Sequence, residues 1–422
     1  MWVICIFAKK RQMNLINFYT EILSLSLPWK IASIEIDKIK NRIILHLGHS
    51  EGSLFPCKKC GQLSSVYDHQ KSRTWRHLNS CQYETYLVGK LPRTNCLNCG
   101  SVKTISVPWS SNQSRFTEDF ECYAIDTLQI NQVIHGTATL LNITDAQVSY
   151  LMKKSVARGL ERRKNCVQLV NYLAIDEKSY KEGHHYVTIL SDADNDKVIE
   201  VVEDRTIASV EKAYKSLNNS QLAHIKGVSM DMWSAFASVS QAVAPQSDIV
   251  HDRFHLSCYL NNALDITRRA ENKKLLNQDN ELLKGTKYIW LKDTKKLSVS
   301  AQDNLDKIIQ QKDLKTVQAY ELKERFKSFF DMSTIEQATT FFDNWFDDVV
   351  SSQNLHLIKV ANMFKSHWLG IKNYIQHRIT NAVAESLNSR IQQLKVKAKG
   401  FNSADAFRTA ILFHFGKLHM YP

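Results

Sequence analysis

Apolar and polar residues alternate along Ile31-Ala32-Ser33-Ile34-Glu35-Ile36 and along Arg42-Ile43-Ile44-Leu45-His46-Leu47, which predicts two half-buried strands. A short helical pattern, Phe18–Leu23, precedes them. Residues 53–108 are rich in cysteine and turn residues, and Gln82–Val88 within them alternates like a strand. Helical periodicity runs over 116–164 and ends in a basic run. From 171 the texture changes to apolar runs at Tyr172–Ile175, His185–Leu190, Lys197–Val202, Ile225–Met230 and Asp248–Val250, with helical segments at 206–218 and 234–243. Three strands, helix, strand, helix, strand describe an α/β layout with one mixed sheet. From 255 to about 378 nearly everything reads as helix, and two more helices follow at about 382–396 and 403–418.

At 422 residues the chain is too long for one ordinary domain. Six segments are expected: 13–50, helix and strands; 51–108, a cysteine module; 115–168, helical; 171–262, the first part of the α/β core; 263–378, a helical insertion; and 379–422, the helices that complete the core. Only 13 glycines and 6 prolines interrupt the chain, which favours long helices over a turn-rich all-β protein. A formal net charge of +13 favours a polyanionic partner over a merely basic surface. No run approaches the ~18 apolar residues that span a bilayer. Trp2–Ala8 lacks a preceding basic region and is too short for a signal peptide; Met13 reads as the start, with residues 1–12 an upstream extension. The expected location is therefore the cytoplasm, on the nucleoid of a bacterium. There, nine cysteines indicate metal or buried thiols rather than disulfides.

Cys57-Lys58-Lys59-Cys60-Gly61 and Cys96-Leu97-Asn98-Cys99-Gly100 are two Cys-x-x-Cys knuckles. Four thiolates match a tetrahedral Zn²⁺, and they leave no open position, so the site is expected to be structural. The alternative is two pairs of buried thiols. Cys81 is a conceivable substitute ligand but fits better as a core cysteine; Cys5, Cys122, Cys166 and Cys258 carry no spacing signal.

Residues 137–151 have the shape of helix, tight turn and second helix, with Asn142-Ile143-Thr144 as the break and Thr144 as N-cap. Val148, Leu151 and Met152 form a buried stripe. Gln147, Ser149, Tyr150 and Lys153 then face outward, where a recognition helix meets base edges, and Lys153, Lys154, Arg158, Arg162, Arg163 and Lys164 suit phosphates. A plain helical hairpin with a basic face is the alternative.

Asp176 ends the run Tyr172–Ile175 and Asp231 ends the run Ile225–Met230, so each carboxylate is expected at the C-terminal end of a strand. On the helix starting near Asn381, Glu385, Asn388, Gln392 and Lys395 share a polar face opposite Ala384, Leu387, Ile391 and Leu394. Three carboxylates so placed can hold two Mg²⁺ (or Mn²⁺) ions for an in-line phosphoryl displacement.

These residues carry a resemblance. Ile175-Asp176-Glu177-Lys178-Ser179-Tyr180 with Gly183-His184-His185-Tyr186, Ser229-Met230-Asp231-Met232-Trp233, His251-Asp252-Arg253-Phe254-His255, and Thr380–Ile391 through Gly400-Phe401 and Ala406-Phe407-Arg408 resemble the ISL3 family of bacterial insertion-sequence transposases. The likeness spans nearly the whole chain from Met13. It implies an RNase H-like catalytic fold with an all-helical insertion, preceded by zinc-ribbon-like and helix-turn-helix modules. It also implies an Asp-Asp-Glu triad, falling on Asp176, Asp231 and Glu385. The one departure noted is Thr380-Asn381-Ala382, where Ser-Asn-Gly is expected.

The function so implied is a DNA transposase that binds terminal inverted repeats, hydrolyses a phosphodiester at the element end and transfers the strand to target DNA, working as a dimer or larger assembly. The alternatives are a catalytically silent DNA-binding protein derived from such an element and a stand-alone nuclease. In the helical block, Trp290 near Lys287 and Lys292 could stack on a base, but a core tryptophan is the preferred reading. Arg268-Arg269, Lys273-Lys274 and Lys292–Lys296 suit either a DNA clamp or solvated helix faces.

Overall fold

A computed structural model describes residues 15–111, 114–164, 168–183, 185–379 and 382–422. The expected upstream extension (residues 1–12), the start at Met13, Cys5, Cys166, His184 and the Thr380-Asn381 dipeptide lie outside the described residues, as does the side chain of Ala384. The chain forms two units, one reaching Gly159 and including His419–Pro422, the other running from Leu160 to Leu418.

In the first unit α1 (Leu15–Ile22) precedes β1 (Trp29–Asp37), β2 (Arg42–His49), β3 (Leu54–Pro56), β4 (Leu63–Arg76), β5 (Glu84–Cys96) and β6 (Ser101–Thr104). They make one sheet in the order β1-β2-β5-β4-β3, with β6 on β5. The expected boundary at residue 50 is not a fold boundary: β2 pairs in parallel with β5 from Arg42↔Glu84 to Leu47↔Gly89, so one ladder joins the two segments. The reason lies in the core. Trp29, Leu45, Trp75, Leu87 and Trp109 come from both sides of that boundary and are buried together. Trp109 meets Trp29 and Trp75 edge-on at 4.8 and 5.6 Å, the geometry aromatic quadrupoles favour.

Three helices follow: α2 (Glu118–Asn131), α3 (Ile134–Leu141) and α4 (Asp145–Lys164). Thr117 caps α2 by accepting from the Phe120 N–H. Phe116, Phe120, Ala124, Leu141 and Leu151 close a small core between them. The carboxylate of Glu121, 2% exposed, takes Lys154 at 2.5 Å, Arg158 at 3.0 Å and the Ser114 hydroxyl at 2.7 Å. The C-terminal tail belongs to this unit. Met420 is buried, its carbonyl accepts from Arg158 at 2.7 Å, and the Tyr421 hydroxyl donates to Asp126 at 2.6 Å.

The second unit opens with β7 (Tyr172–Lys181), β8 (His185–Asp192) and β9 (Lys197–Glu203), an antiparallel meander. Then come α5 (Ile207–Tyr214), α6 (Asn219–His224), β10 (Gly227–Met230), α7 (Ser234–Val243) and β11 (Asp248–His251). Strand order is β11-β10-β7-β8-β9, and β10 runs parallel to both β7 and β11. Leu173, Ala174 and Ile175 of β7 and Val228 and Met230 of β10 are all buried, as a sheet covered on both faces requires.

The expected insertion boundary at 262/263 falls inside one continuous helix, α8 (Arg253–Leu276), which springs directly from β11. It is followed by α9 (Lys287–Leu291), α10 (Val299–Ile309), α11 (Lys315–Phe326), α12 (Ile335–Ser351), α13 (Leu355–Ser366) and α14 (Trp368–His377). Their aromatic core includes Phe326, Trp345 and Phe364, and it extends to Val250 of β11. The helices are therefore packed onto the sheet through α14. Asn373 donates to the Ile249 carbonyl at 2.9 Å, and His377 meets Asp248 at 2.7 Å. Trp290 is fully buried and its indole N–H donates to Thr286 Oγ1 at 3.0 Å, so it is a core residue and not a base-stacking one. Helices α15 (Ala382–Lys397) and α16 (Ala404–Phe415) complete the unit.

Candidate functional site

The parallel strands bring the acids together through register. Ala174 pairs with Ser229, so continuing the ladder sets Asp176 level with Asp231. Met230 pairs with His251, which sets Asp231 beside Asp252. Asp231 and Asp252 thus directly follow β10 and β11, whereas Asp176, expected at a strand end, lies within β7, which runs on to Lys181 because its pairing with β8 continues past it. α15 packs against β7 with Leu387, Ile391 and Leu394 buried. Its polar face is fixed by two bonds: Asn388 donates to Asp176 Oδ2, and Lys395 donates to the Ser179 carbonyl at 2.7 Å. Glu385, exposed, stands one turn before Asn388 on the same face.

The electrostatics mark this edge as crowded with negative charge. Burial pushes the Asp176 carboxyl above its ordinary range, against the opposing Glu177 N–H and His255. Glu385 is likewise raised, first by burial and then by the charge of Asp252. The Cys258 thiol, one turn along α8 from His255, is raised by burial and by Asp252, Asp231 and Glu385, so those three carboxylates share a neighbourhood. His255 sits between two of these acids, its Nδ1 3.6 Å from Asp231 Oδ2 and its Nε2 3.7 Å from Asp252 Oδ2. An all-carboxylate donor set fits a hard divalent cation such as Mg²⁺ or Mn²⁺. No three of these carboxylates close to within 4.8 Å of one another, a separation that unrelieved like-charge repulsion favours.

Asp252 and His255 belong to this site although sequence reasoning gave them no role. The signal was present: Asp252 follows its strand as Asp231 follows β10. Asp252 is 5% exposed and also caps α8, accepting from the Phe254 N–H at 2.9 Å.

The cysteine knuckles make a second site. Cys57 follows β3 and Cys96 ends β5, and the four Sγ atoms lie within 4.8 Å of one another. Cys57 and Cys99 are 3.7 Å apart, Cys60 and Cys96 3.5 Å. A tetrahedron with Zn–S bonds of ~2.3 Å has edges of about 3.8 Å, so the cluster fits zinc. Gly61 and Gly100 adopt φ of 76° and 60°, the left-handed turn that lets each knuckle close. The Cys96 thiol is pushed down to about 6, chiefly by the Cys99 N–H and then by the Ser64 hydroxyl. Cys81 is exposed and outside the cluster, hence neither ligand nor core.

The third set lies on α3 and α4. Asn142 takes a left-handed conformation, and Thr144 caps α4: its hydroxyl accepts from the Gln147 N–H while Gln147 Oε1 accepts from the Thr144 N–H. Val148, Leu151 and Met152 are buried, Gln147 and Ser149 half-buried, and Tyr150, Lys153 and Arg162 exposed. The remaining basic residues depart from expectation. Arg158 is held by Glu121 and the Met420 carbonyl, and Lys154 by Glu121. Arg163 donates to the carbonyls of Val198, Ile199 and Gly416. A buried carboxylate and several main-chain carbonyls hold these cations in place. Arg158 and Arg163 are therefore internal ties, and are withdrawn from the DNA-contact set.

Among the described residues no helix is long and apolar enough to cross a membrane. Comparison with known families matches residues 173–411 to an ISL3-type domain described as a transposase, and residues 53–99 to the zinc finger of the IS204/IS1001/IS1096/IS1165 transposases. The chain is similar to the transposase for insertion sequence element IS1001 of Bordetella parapertussis, 23% identical over 83% of this chain and 86% of that protein. It is similar also to the transposase for insertion sequence element IS1557 of Mycobacterium tuberculosis, 24% identical over 86% of each.

Proposed function

Because the chain belongs to the ISL3 family of transposases, we propose that its second unit is an RNase H-like nuclease and strand transferase acting through Asp176, Asp231 and Glu385. What carries this reading is the register of β7 and β10, which levels Asp176 with Asp231 while Asn388 docks the Glu385 helix onto Asp176. The sheet order and the single antiparallel meander support the fold assignment. Asp176, Asp231 and Glu385 would hold divalent ions, which when bound would supply the charge that polarises oxygens in an in-line displacement at phosphorus. The residues' own contribution is positional. Asn388 orients Asp176, and His255 spans Asp231 and Asp252. Water first cleaves the phosphodiester at the element end, and the freed 3′-hydroxyl then attacks target DNA, releasing one strand end for each bond formed.

The first unit is the end-binding part of this reading. Cys57, Cys60, Cys96 and Cys99 of its zinc-ribbon-like module would hold a structural Zn²⁺, and α3–α4 form a helix-turn-helix that presents Gln147, Ser149, Tyr150 and Lys153 to the major groove. Joining two ends in concert calls for a dimer or larger assembly on the bacterial nucleoid. The test is purified protein with Mg²⁺ and labelled duplexes carrying the element's ends, scored for nicking and joining. Asp176→Asn, Asp231→Asn and Glu385→Gln are each expected to abolish both while retaining end binding. Wild-type binding without any cleavage would favour the catalytically silent alternative.

A further inference from the structure

The long strand β4 is interrupted by a bulge. His69 opposes Pro92 and Ser72 opposes Lys90, leaving Gln70 and Lys71 together against Leu91. Bulges bend a strand and re-aim its side chains. Beyond this one, Ser72, Arg73 and Thr74 line an open cleft of about 480 Å³ whose other wall is Arg115. Arg115 is set there by the Arg76 N–H, which donates to its carbonyl at 2.9 Å.

Arg73 is held in place: its guanidinium donates to the Ser114 carbonyl at 2.6 Å and lies over the buried Trp75 ring at 5.3 Å. The neighbouring arginines Arg42 and Arg93 each have a carboxylate partner. Arg73 and Arg115 have none among the described residues. Burial, and then the charge of Arg115, hold the Arg73 pKa below the usual guanidinium value. Lys90, paired across the ladder from Ser72, and Lys71 in the bulge are exposed and extend the positive rim.

We propose that this cleft seats one backbone phosphate of duplex DNA, with Arg73 and Arg115 clasping its non-bridging oxygens and Ser72 and Thr74 supplying hydroxyl donors. Two guanidiniums facing one another without a counter-charge repel, and an anion between them turns that repulsion into two charge-assisted hydrogen bonds. The cleft is open, so a polymer can pass across it. The acceptor must reach the Arg73 fork and the strand hydroxyls at once, which suits a tetrahedral phosphate better than a planar carboxylate. The proposal rests on the reading of the first unit as the end-binding unit. It adds a phosphate contact on the sheet, apart from the α4 helix.

The test uses the full chain, zinc-loaded, and a labelled duplex carrying an element end, titrated at several salt concentrations. Arg115→Gln and Arg73→Gln are each expected to lower the slope of log affinity against log salt by about 0.9, with equal loss on an unrelated duplex. Arg115→Gln changes an exposed side chain and keeps the test valid where Arg73→Gln disturbs packing on Trp75. A duplex with one neutral methylphosphonate, scanned along the backbone, should weaken wild-type binding at one position and leave Arg115→Gln indifferent there. Wild-type slope and affinity in Arg115→Gln would overturn the cleft while leaving end binding intact. Failure of the wild type to bind any duplex would overturn both. Displacement of a bound acidic peptide, with no change on DNA, would assign the cleft to a protein partner instead.

Discussion

Glu121→Ala tests whether the basic face of α4 is built for structure or for DNA. The variant removes a carboxylate that is 2% exposed and leaves Lys154 and Arg158, 22% and 17% exposed, without their counter-charge, each keeping only a neutral acceptor, Ser111 and the Met420 carbonyl. Breaking a fully buried pair costs about 3–5 kcal/mol. Both cations keep roughly a fifth of their surface in water and can partly rehydrate, which brings the expected loss to about 2–4 kcal/mol. For a unit of this size each kcal/mol moves the midpoint by about 2–4 °C, so a fall of ~4–16 °C is expected. The assay is thermal unfolding of the full chain, followed by near-ultraviolet circular dichroism at constant zinc. Glu121→Gln, which keeps an acceptor, should lose less. Combining Glu121→Leu with Lys154→Met and Arg158→Met should recover most of the stability, because no charge is then stranded. A midpoint unchanged in Glu121→Ala refutes the argument. So does an Arg158→Met variant that keeps its stability but binds DNA with a flatter salt dependence.

Further outcomes follow from the other sites. Cys96→Ser is expected to drop zinc below one ion per chain by metal analysis and to abolish end binding; wild-type protein refolded with zinc yet free of it would reduce the knuckles to thiol pairs. Asp252→Asn preserves an N-cap of equal quality, so its midpoint should hold while cleavage slows at least tenfold and needs more Mg²⁺; an unchanged rate would leave Asp252 as a helix cap only. His414 is pushed down to about 4 by burial and secondarily by Lys397. Its folded pKa thus lies below the unfolded value of ~6.5. Between these the unfolded chain binds a proton that the folded chain refuses, so stability should fall by roughly 3 kcal/mol from pH 7 to pH 4. His414→Phe should show a smaller acid loss in urea midpoints, and identical pH profiles would sink the assignment.

Much of the architecture was legible because periodicity reports local structure. The strand before Asp231 was an apolar run closed by an acid, and the α15 face was readable from Leu387, Ile391 and Leu394; the apolar run before Asp176 was legible too, but not that β7 continues to Lys181 through its ladder with β8. The knuckles were legible because metal chemistry fixes spacing. Sequence could not show which basic residues of α4 have partners, because Glu121 is 33 and 37 positions away from Lys154 and Arg158. Nor could it show that β2 pairs with β5, since non-local pairing is decided by the shared tryptophan core. Asp252 was passed over because one aspartate after a short strand is common. Only the parallel ladder with β10 gives it neighbours.

The tail residues 419–422 give the molecule an unusual order of assembly. Translation makes the strands, the knuckles and α2–α4 first, yet Arg158 and Asp126 wait for Met420 and Tyr421. At a ribosomal pace of about 5–20 residues per second, that interval is roughly 13–50 s. During it the nascent chain carries an unfinished hydrogen-bond set beside a buried carboxylate. The first unit, although made first, gains its last ties only after residues 160–418 have been synthesised.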